Sequence, residues 1–451
     1  MSKRQKTNED IEIINQSLQR NEKGGIKQSL ANCVTVFEKD PLLGGNIKRN
    51  MLTGQVDIVS KMPWERRSIL LTDTDFNNIC LYLERNYSLV KDTQIKKSLD
   101  IVSSNNEYHP IKEYLENLQW DGTERIKDLL PRYLGAEKSD YVYAATKLMM
   151  LGAINRIYYP GCKFEYMVCV AGNQGTGKST FFRFLAIKDE WFSDDLRRID
   201  DDNVYRKLQG HWFVEMAEML ATSNARSIEE IKSFISRQKE TYKIPYETHP
   251  EDRPRQCIFV GTSNSMSFLP FDRTGNRRFI PIMTDETLAK QHPLDDEKEC
   301  REFIINCWAE AMHIFKSGEY KLTLPKDLEE KVKELQKTFT PEDTKLGIIE
   351  EWLSSCKCEY VCSRMIYDRV FMKSSIEPSS KDLKEISSIM NNSIEGWEPV
   401  SSHRFDYYGI QRAWRRIKSN ERTEDIWSKP KYDEGGFVII TDEMRAEMPF
   451  N

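Results

Sequence analysis

The sequence predicts an α/β fold: a parallel sheet covered by helices, with a phosphate-binding loop after its first core strand and smaller units at either end. Two observations predict it. Apolar strand-like runs recur at Tyr166–Val170, Trp212–Met216 and Cys257–Val260 with helical patterns between them, and alternating strands and helices pair in parallel. The first run leads straight into Gly172-Asn173-Gln174-Gly175-Thr176-Gly177-Lys178-Ser179, a glycine loop that opens a helix read over Ser179–Ala186.

Composition sets the frame. The chain has 451 residues and a net charge of −5, with 30% charged and 39% apolar residues, so two to four domains are expected and no global basic field draws it to nucleic acid or membrane. No apolar run approaches the roughly 20 residues that span a bilayer. The N-terminus lacks the apolar core of a secretion signal, and the ten cysteines are scattered as in a reducing compartment, so a cytoplasmic protein is expected. Cys356, Cys358 and Cys362 cluster, but C-x-C-x3-C with no nearby histidine is not zinc-site spacing.

Along the chain, the first two dozen residues are polar and read as mobile. Ile26–Leu99 reads as a small folded unit, and residues 1–100 form an N-terminal α+β or helical region of no assigned role. Residues 101–160 read as a helical collar. It begins with two amphipathic helices, carrying Ile111, Leu115 and Leu118, then Ile126, Leu129 and Leu130, either side of an Asp121-Gly122 turn. A longer helix, Ser139–Ile157, follows. The phosphate-loop core with its helical lid reads as 161–345. Residues 346–451 read as a winged-helix-like domain, with helices near Leu346–Ser355, Ser363–Lys373 and Ser379–Asn391, extended aromatic segments after Gly396, and a last helix over Gln411–Lys418.

The candidate site follows from what polyphosphate requires. Backbone N–H groups must converge on its oxygens with a helix N-terminus behind them. Gly172, Asn173, Gln174, Gly175, Thr176, Gly177, Lys178, Ser179 and Thr180 supply that cradle. Lys178 reaches the β- and γ-phosphates and Ser179 ligates Mg²⁺. ATP and Mg²⁺ are therefore the expected cofactors. An acid must serve metal and water. Glu215 ends an apolar strand and is favoured on the metal side; Glu218 is favoured as the base that polarises water. Asn264 ends the third strand, where ligands of open α/β sheets sit, and is the candidate sensor. Arg277 and Arg278 lie between a glycine turn and a further strand; either could stabilise transition-state charge from a neighbouring subunit.

Several of these stretches are specific enough to carry a resemblance. They are Tyr108-His109-Pro110 with Trp120-Asp121-Gly122, Pro160-Gly161-Cys162-Lys163-Phe164, the loop Gly172–Thr180, Trp191-Phe192-Ser193-Asp194 and Glu215-Met216-Ala217-Glu218. Tyr242-Lys243-Ile244-Pro245-Tyr246, Thr262-Ser263-Asn264 and Thr274-Gly275-Asn276-Arg277-Arg278-Phe279 complete the set. Over about residues 100–285 the chain resembles the virulence-associated protein E family, whose core is similar to the superfamily III branch of AAA+ helicases. The resemblance implies an ATP-dependent DNA helicase or replication ATPase of phages, satellites or pathogenicity islands, working as a ring homo-oligomer, a hexamer, on single-stranded or forked DNA. It also implies a DNA-gripping hairpin within Thr241–Arg255, where Lys243, His249, Arg253 and Arg255 are the candidate contacts; Lys243 stands where the family prefers arginine. Arg412, Arg415 and Arg416, interleaved with aromatic residues, form a second candidate DNA surface. The alternative is an origin-binding initiator or loader whose ATPase controls assembly without unwinding. A small-molecule phosphotransferase fits the long core poorly. The N-terminal region shows no paired-carboxylate polymerase motif, so a separate primase is expected.

Overall fold

The structure is a computed structural model describing residues 3–196, 199, 204–218, 225–242, 251–265, 267–269, 276–340, 343–371 and 377–417. The chain divides into two compact units, Met1–Pro341 and Glu342–Asn451.

The N-terminal part of the first unit is helical from its third residue. Helix α1 (Lys3–Ser17) places Ile14 in a small core, with Leu18 just past its end. The expectation of a mobile tail is corrected there: apolar residues are few in this segment, but those two meet the face of α2 (Leu30–Lys39) that carries Cys33, Val36 and Phe37. Strands β1 (Ile47–Asn50) and β2 (Val56–Ile58) pair antiparallel. Helices α3 (Asp73–Tyr87) and α4 (Asp92–Asn105) close the same core. Thr72 starts α3 with a reciprocal capping box to Asp75. Strand β3 (Glu107–Tyr108) then pairs parallel with β1.

The collar consists of α5 (Pro110–Glu116), α6 (Ile126–Leu134) and α7 (Asp140–Tyr158). Ile111 and Leu115 are buried on α5, whereas Leu118 lies beyond its end and packs partly buried. Helix α7 is buried on nearly every side, so it lacks the one-faced pattern of a surface helix.

The α/β core follows. Strand β4 (Met167–Ala171) feeds the glycine loop and α8 (Lys178–Leu185). Then come β5 (Phe192–Ser193), α9 (Val204–Leu208), β6 (Phe213–Ala217) and α10 (Ala225–Ser236). A two-stranded antiparallel hairpin, β7 (Lys239–Tyr242) and β8 (Glu251–Pro254), precedes β9 (Ile258–Ser263) and β10 (Phe279–Met283). The five core strands form one parallel sheet in the order β10-β4-β9-β6-β5. Both faces are covered, which explains the unbroken apolar runs. Val168, Val170, Ile258, Val260, Ile280 and Ile282 join the core beneath α6, α7, α8 and α11 (Glu297–Ser317). Met167, Cys169, Val214, Phe259 and Phe279 face the opposite core with Phe234 of α10 and Phe339, which follows α12 (Lys326–Thr338). Trp212 anchors the first layer: it stacks on Trp308 at 4.4 Å, and its indole N–H donates to the Ala153 carbonyl at 3.0 Å.

The second unit runs α13 (Thr344–Ser355), β11 (Tyr360–Val361), α14 (Ser363–Val370), α15 (Ser380–Asn392), β12 (Trp397–Phe405) and β13 (Gly409–Arg416). Its sheet is antiparallel, in the order β11-β13-β12. The helix expected over Gln411–Lys418 is instead strand as far as Arg416, and Lys418 lies outside the described residues. Arg412, Arg415 and Arg416 have helical spacing, but pairing with β12 and β11 and burial of Trp414 against the helices decide the conformation. Among the described residues, no helix is long and apolar enough to cross a membrane.

Candidate nucleotide site

Every element of the site meets at the C-terminal ends of β4, β6 and β9. Parallel pairing puts those ends side by side, with β9 between the other two. The glycine loop leaves β4 and returns as α8, so the N–H groups of the first helical turn face the end of the sheet.

Two loop positions admit only glycine. A Cβ on Gly172 would sit 2.3 Å from the Thr284 carbonyl oxygen, because the chain leaving β10 passes directly beside the loop. Gly177 caps α8 with φ +76°, and a Cβ there would meet His292 Nε2 at 2.7 Å.

Lys178 is the first residue of α8 and its side chain is buried. Its ammonium donates to the carbonyls of Gly172 (2.9 Å) and Asn173 (2.7 Å), to Thr176 Oγ1 (3.1 Å) and to Asn264 Oδ1 (3.0 Å). Burial lowers its pKa below the usual lysine value, and the carboxylates of Glu218 and Glu215 act in the opposite direction. Gln174 is exposed at the outside of the loop, and Thr180 is half-buried in the first turn of α8.

Glu215 is 1% exposed, an unusual place for a carboxylate, and the sequence explains how it is satisfied. Ser179 Oγ donates to Glu215 Oε1 at 2.6 Å, and Thr262 Oγ1 on the adjacent strand donates to the same oxygen. Glu218 leaves β6 in a left-handed conformation, φ +52°, that a residue with a Cβ rarely adopts. That twist turns its carboxylate across β9, where it accepts from the Asn264 N–H at 2.6 Å and from Ser263 Oγ at 3.1 Å. Lys178, Ser179, Glu215, Glu218 and Asn264, named from the sequence on separate segments, therefore form one connected constellation. Thr262 and His292 also belong to it. Thr262 stood inside a quoted motif without a role, and its position opposite Ala217 in the β6–β9 register is what aims it at Glu215. No local pattern around His292 signals its position.

The residues fit a nucleoside triphosphate with magnesium: a backbone cradle that a Cβ would fill, a buried cation, and a hydroxyl–carboxylate pair at a helix N-terminus. Residues 115–341 match the virulence-associated protein E-like domain, half of the chain. The chain belongs to that family. Among solved structures, the apo C-terminal region of NrS-1 aligns with TM-score 0.44 and 14% identity, over 82% of this family member and 96% of that chain. The A form of the same region aligns with TM-score 0.47 and 13% identity, over 87% and 100%. No curated protein matches the sequence significantly.

The remaining predicted residues of this virulence-associated protein E-like chain lie elsewhere. Arg277 and Arg278 immediately precede β10, whose Phe279 pairs with Met167 at the start of β4. They thus stand at the opposite end of the sheet from the loop, about 16 Å away for a five-residue strand. Arg278 donates to Ser236 Oγ at 2.8 Å and pairs with Glu165 at 3.4 Å, whereas the Arg277 side chain is 76% exposed and reaches Glu165 only at 3.8 Å. Lys243 and His249 lie outside the described residues. Arg253 is half-buried on β8, its guanidinium against the Gly54 turn between β1 and β2.

Two of the candidate DNA contacts are corrected. Arg255 is 3% exposed; it pairs with buried Glu240 and donates to the Phe234 carbonyl, so it holds the base of the hairpin from inside. Arg416 donates to the carbonyls of Leu353 (2.6 Å) and Cys356 (2.8 Å) and lies over the Trp397 ring, stitching α13 to the sheet. Arg415 is held by Glu398 at 2.6 Å. Arg412 alone of the three is exposed.

His292 gives a prediction at this point. Its Nδ1 accepts the Leu294 N–H at 3.2 Å, which leaves Nε2 to donate to the Gly175 carbonyl at 3.2 Å. Losing one such bond is worth about 1 kcal/mol. His292→Ala is expected to raise the KM for ATP about fivefold and leave kcat within about twofold. His292→Gln, which keeps a donor, should recover part of the loss. Steady-state phosphate release over a range of ATP concentrations measures both constants.

Proposed function

We propose that this protein is an ATP hydrolase that drives DNA strand separation in the replication of a phage, satellite or pathogenicity island, working as a ring of identical copies with a P-loop AAA+ core of the superfamily III type. The observation that carries the reading is the hydrogen bond from Ser179 at the start of α8 to the buried carboxylate of Glu215. That pairing joins the loop hydroxyl and the strand acid on which such ATPases depend for magnesium.

Magnesium-ATP, when bound, supplies the phosphoanhydride to be broken and the cation that Ser179 and Glu215 would hold. Lys178 and the loop N–H groups bind phosphate oxygens. Glu218, turned across β9, accepts the proton of the attacking water, and Asn264 between Glu218 and Lys178 orients both groups. Arg277 cannot reach its own loop from the far end of the sheet, so it serves a neighbouring copy. The β7–β8 hairpin, whose tip lies outside the described residues, would grip the strand being moved. Ring assembly, a hexamer by analogy with the family, and priming by a separate polypeptide complete the proposal.

The experiment is direct. The purified protein should release phosphate from ATP in the presence of magnesium, faster with single-stranded or forked DNA, and should separate a forked duplex. Absence of ATP hydrolysis with or without DNA would overturn the proposal. The helix–strand–helix–helix–strand–strand order of the second unit fits a winged helix and favours the alternative, an origin-binding initiator or loader. ATP hydrolysis combined with a footprint on one origin and no strand separation would decide for that alternative.

A further inference from the structure

The second unit contains a surface that the ATPase reading does not use. Helix α15 begins at a Ser379–Asp382 capping box and is amphipathic. Ile386, Ile389 and Met390 face the core. On the outward side, Lys381, Lys384, Asn391 and Asn392 are exposed and Ser388 is half-buried, at spacings that keep them along one stripe of the helix. The two acids of this helix beyond its first residues are occupied: Asp382 in the cap, and Glu385 with Lys345 at 2.8 Å.

Strand β13 runs beside this stripe, and Arg412 projects from it. Lys384, Ser387, Ser388, Asn391, Asn392 and Arg412 line an open groove of about 470 Å³ that, among the described residues, no carboxylate enters. Asn391 already accepts the Trp414 indole N–H at 2.7 Å through its side-chain oxygen, so its amide N–H₂ group is the end available to a ligand. Among the described residues, neither Lys384 nor Arg412 makes an ion pair. The β12–β13 turn extends the surface with exposed Arg404 and with Tyr407, 91% exposed.

We propose that this groove binds duplex DNA, with α15 entering the major groove and the β12–β13 hairpin beside it on the backbone. The occupant follows from the chemistry of the lining. Two unpaired cations without an acid call for phosphate. Amide and hydroxyl groups on one helical stripe suit base edges, which the major groove of B-DNA displays at a width of about 12 Å, enough to admit a helix. Among the described residues the groove has no aromatic ring on which unpaired bases could stack, the feature that single-strand sites use. Double-stranded RNA is excluded by its deep, narrow major groove. This surface belongs to the second unit, and the inference does not depend on ATP hydrolysis.

The test uses the full chain without nucleotide or magnesium, so failure of the ATPase reading leaves it intact. Fluorescence anisotropy with a labelled DNA duplex measures affinity as salt is varied. The double variant Lys384→Glu/Arg412→Glu is expected to bind at least about tenfold more weakly at 0.15 M salt, with the log–log salt slope reduced by about 2. The charge-preserving pair Lys384→Arg/Arg412→Lys should recover most of the affinity, and circular dichroism should show all variants folded. Lys333→Glu, a single charge reversal on the exposed side of α12, should leave binding unchanged. Unchanged duplex affinity in the double variant, an equal loss in Lys333→Glu, or equally tight binding of single-stranded DNA or RNA duplex at this site would each overturn the proposal.

Discussion

Replacing Lys178 with alanine is expected to lower ATP turnover by about a hundred- to a thousandfold, the usual cost of removing one positive or donor group from developing phosphate charge. The surroundings of its ammonium explain the size of the loss. The ammonium is buried at the start of α8, between two loop carbonyls, Thr176 and Asn264, with Glu215 and Glu218 close enough to influence its proton affinity. Truncation removes the cation that those two carboxylates act on and leaves both acids facing the phosphates. Steady-state phosphate release gives the number. Turnover within tenfold of the unmodified chain, with the protein still folded by circular dichroism, would rule out the assigned role.

Arg277→Ala should be at least as severe, about a thousandfold, provided that the arginine acts across a seam between copies. Its exposed side chain lies one strand-length from its own loop and within reach of whatever packs on that face. Arg278→Ala should cost less turnover and more stability, since Arg278 already holds Ser236 and Glu165. Mixing separates action in trans from a local defect. Lys178→Ala chains carry an intact arginine and Arg277→Ala chains an intact loop, so an equal mixture of the two inactive proteins should regain about a quarter of the seams under random assembly. No recovery on mixing, where each variant still assembles, would show that Arg277 does not act on a neighbour.

Much of this geometry could be read from the chain before any coordinates. A strand buried on both faces must be apolar throughout, and a phosphate loop needs its glycines in fixed places. Met167–Ala171, Phe213–Ala217 and Ile258–Ser263 therefore stand out, as do the acids and the asparagine that end the last two. What was not legible depends on partners distant in sequence. Arg255 has the composition of a DNA contact, yet Glu240 pulls it inside. Arg412 to Arg416 have the spacing of a helix face, yet the neighbouring strands make them the middle strand of a sheet, and only then does α15 emerge as the exposed polar stripe. His292 lies well beyond the last core strand and reaches the loop only because the chain leaving β10 folds back over it. The buried residues Ile14 and Leu18 are too few to mark α1 by composition alone.

The strand order has a consequence for biosynthesis. Strand β4 is the first of the core to leave the ribosome, but its two neighbours are the last, β9 and β10. At ordinary elongation rates it remains without a hydrogen-bonding partner for roughly 5 to 20 s, a sticky ribbon of Met167-Val168-Cys169-Val170-Ala171 with both edges bare. The nascent chain needs shielding through that interval, by a chaperone or by the collar helices already made. Any product that stops short of Met283 leaves at least one of those edges open to aggregation.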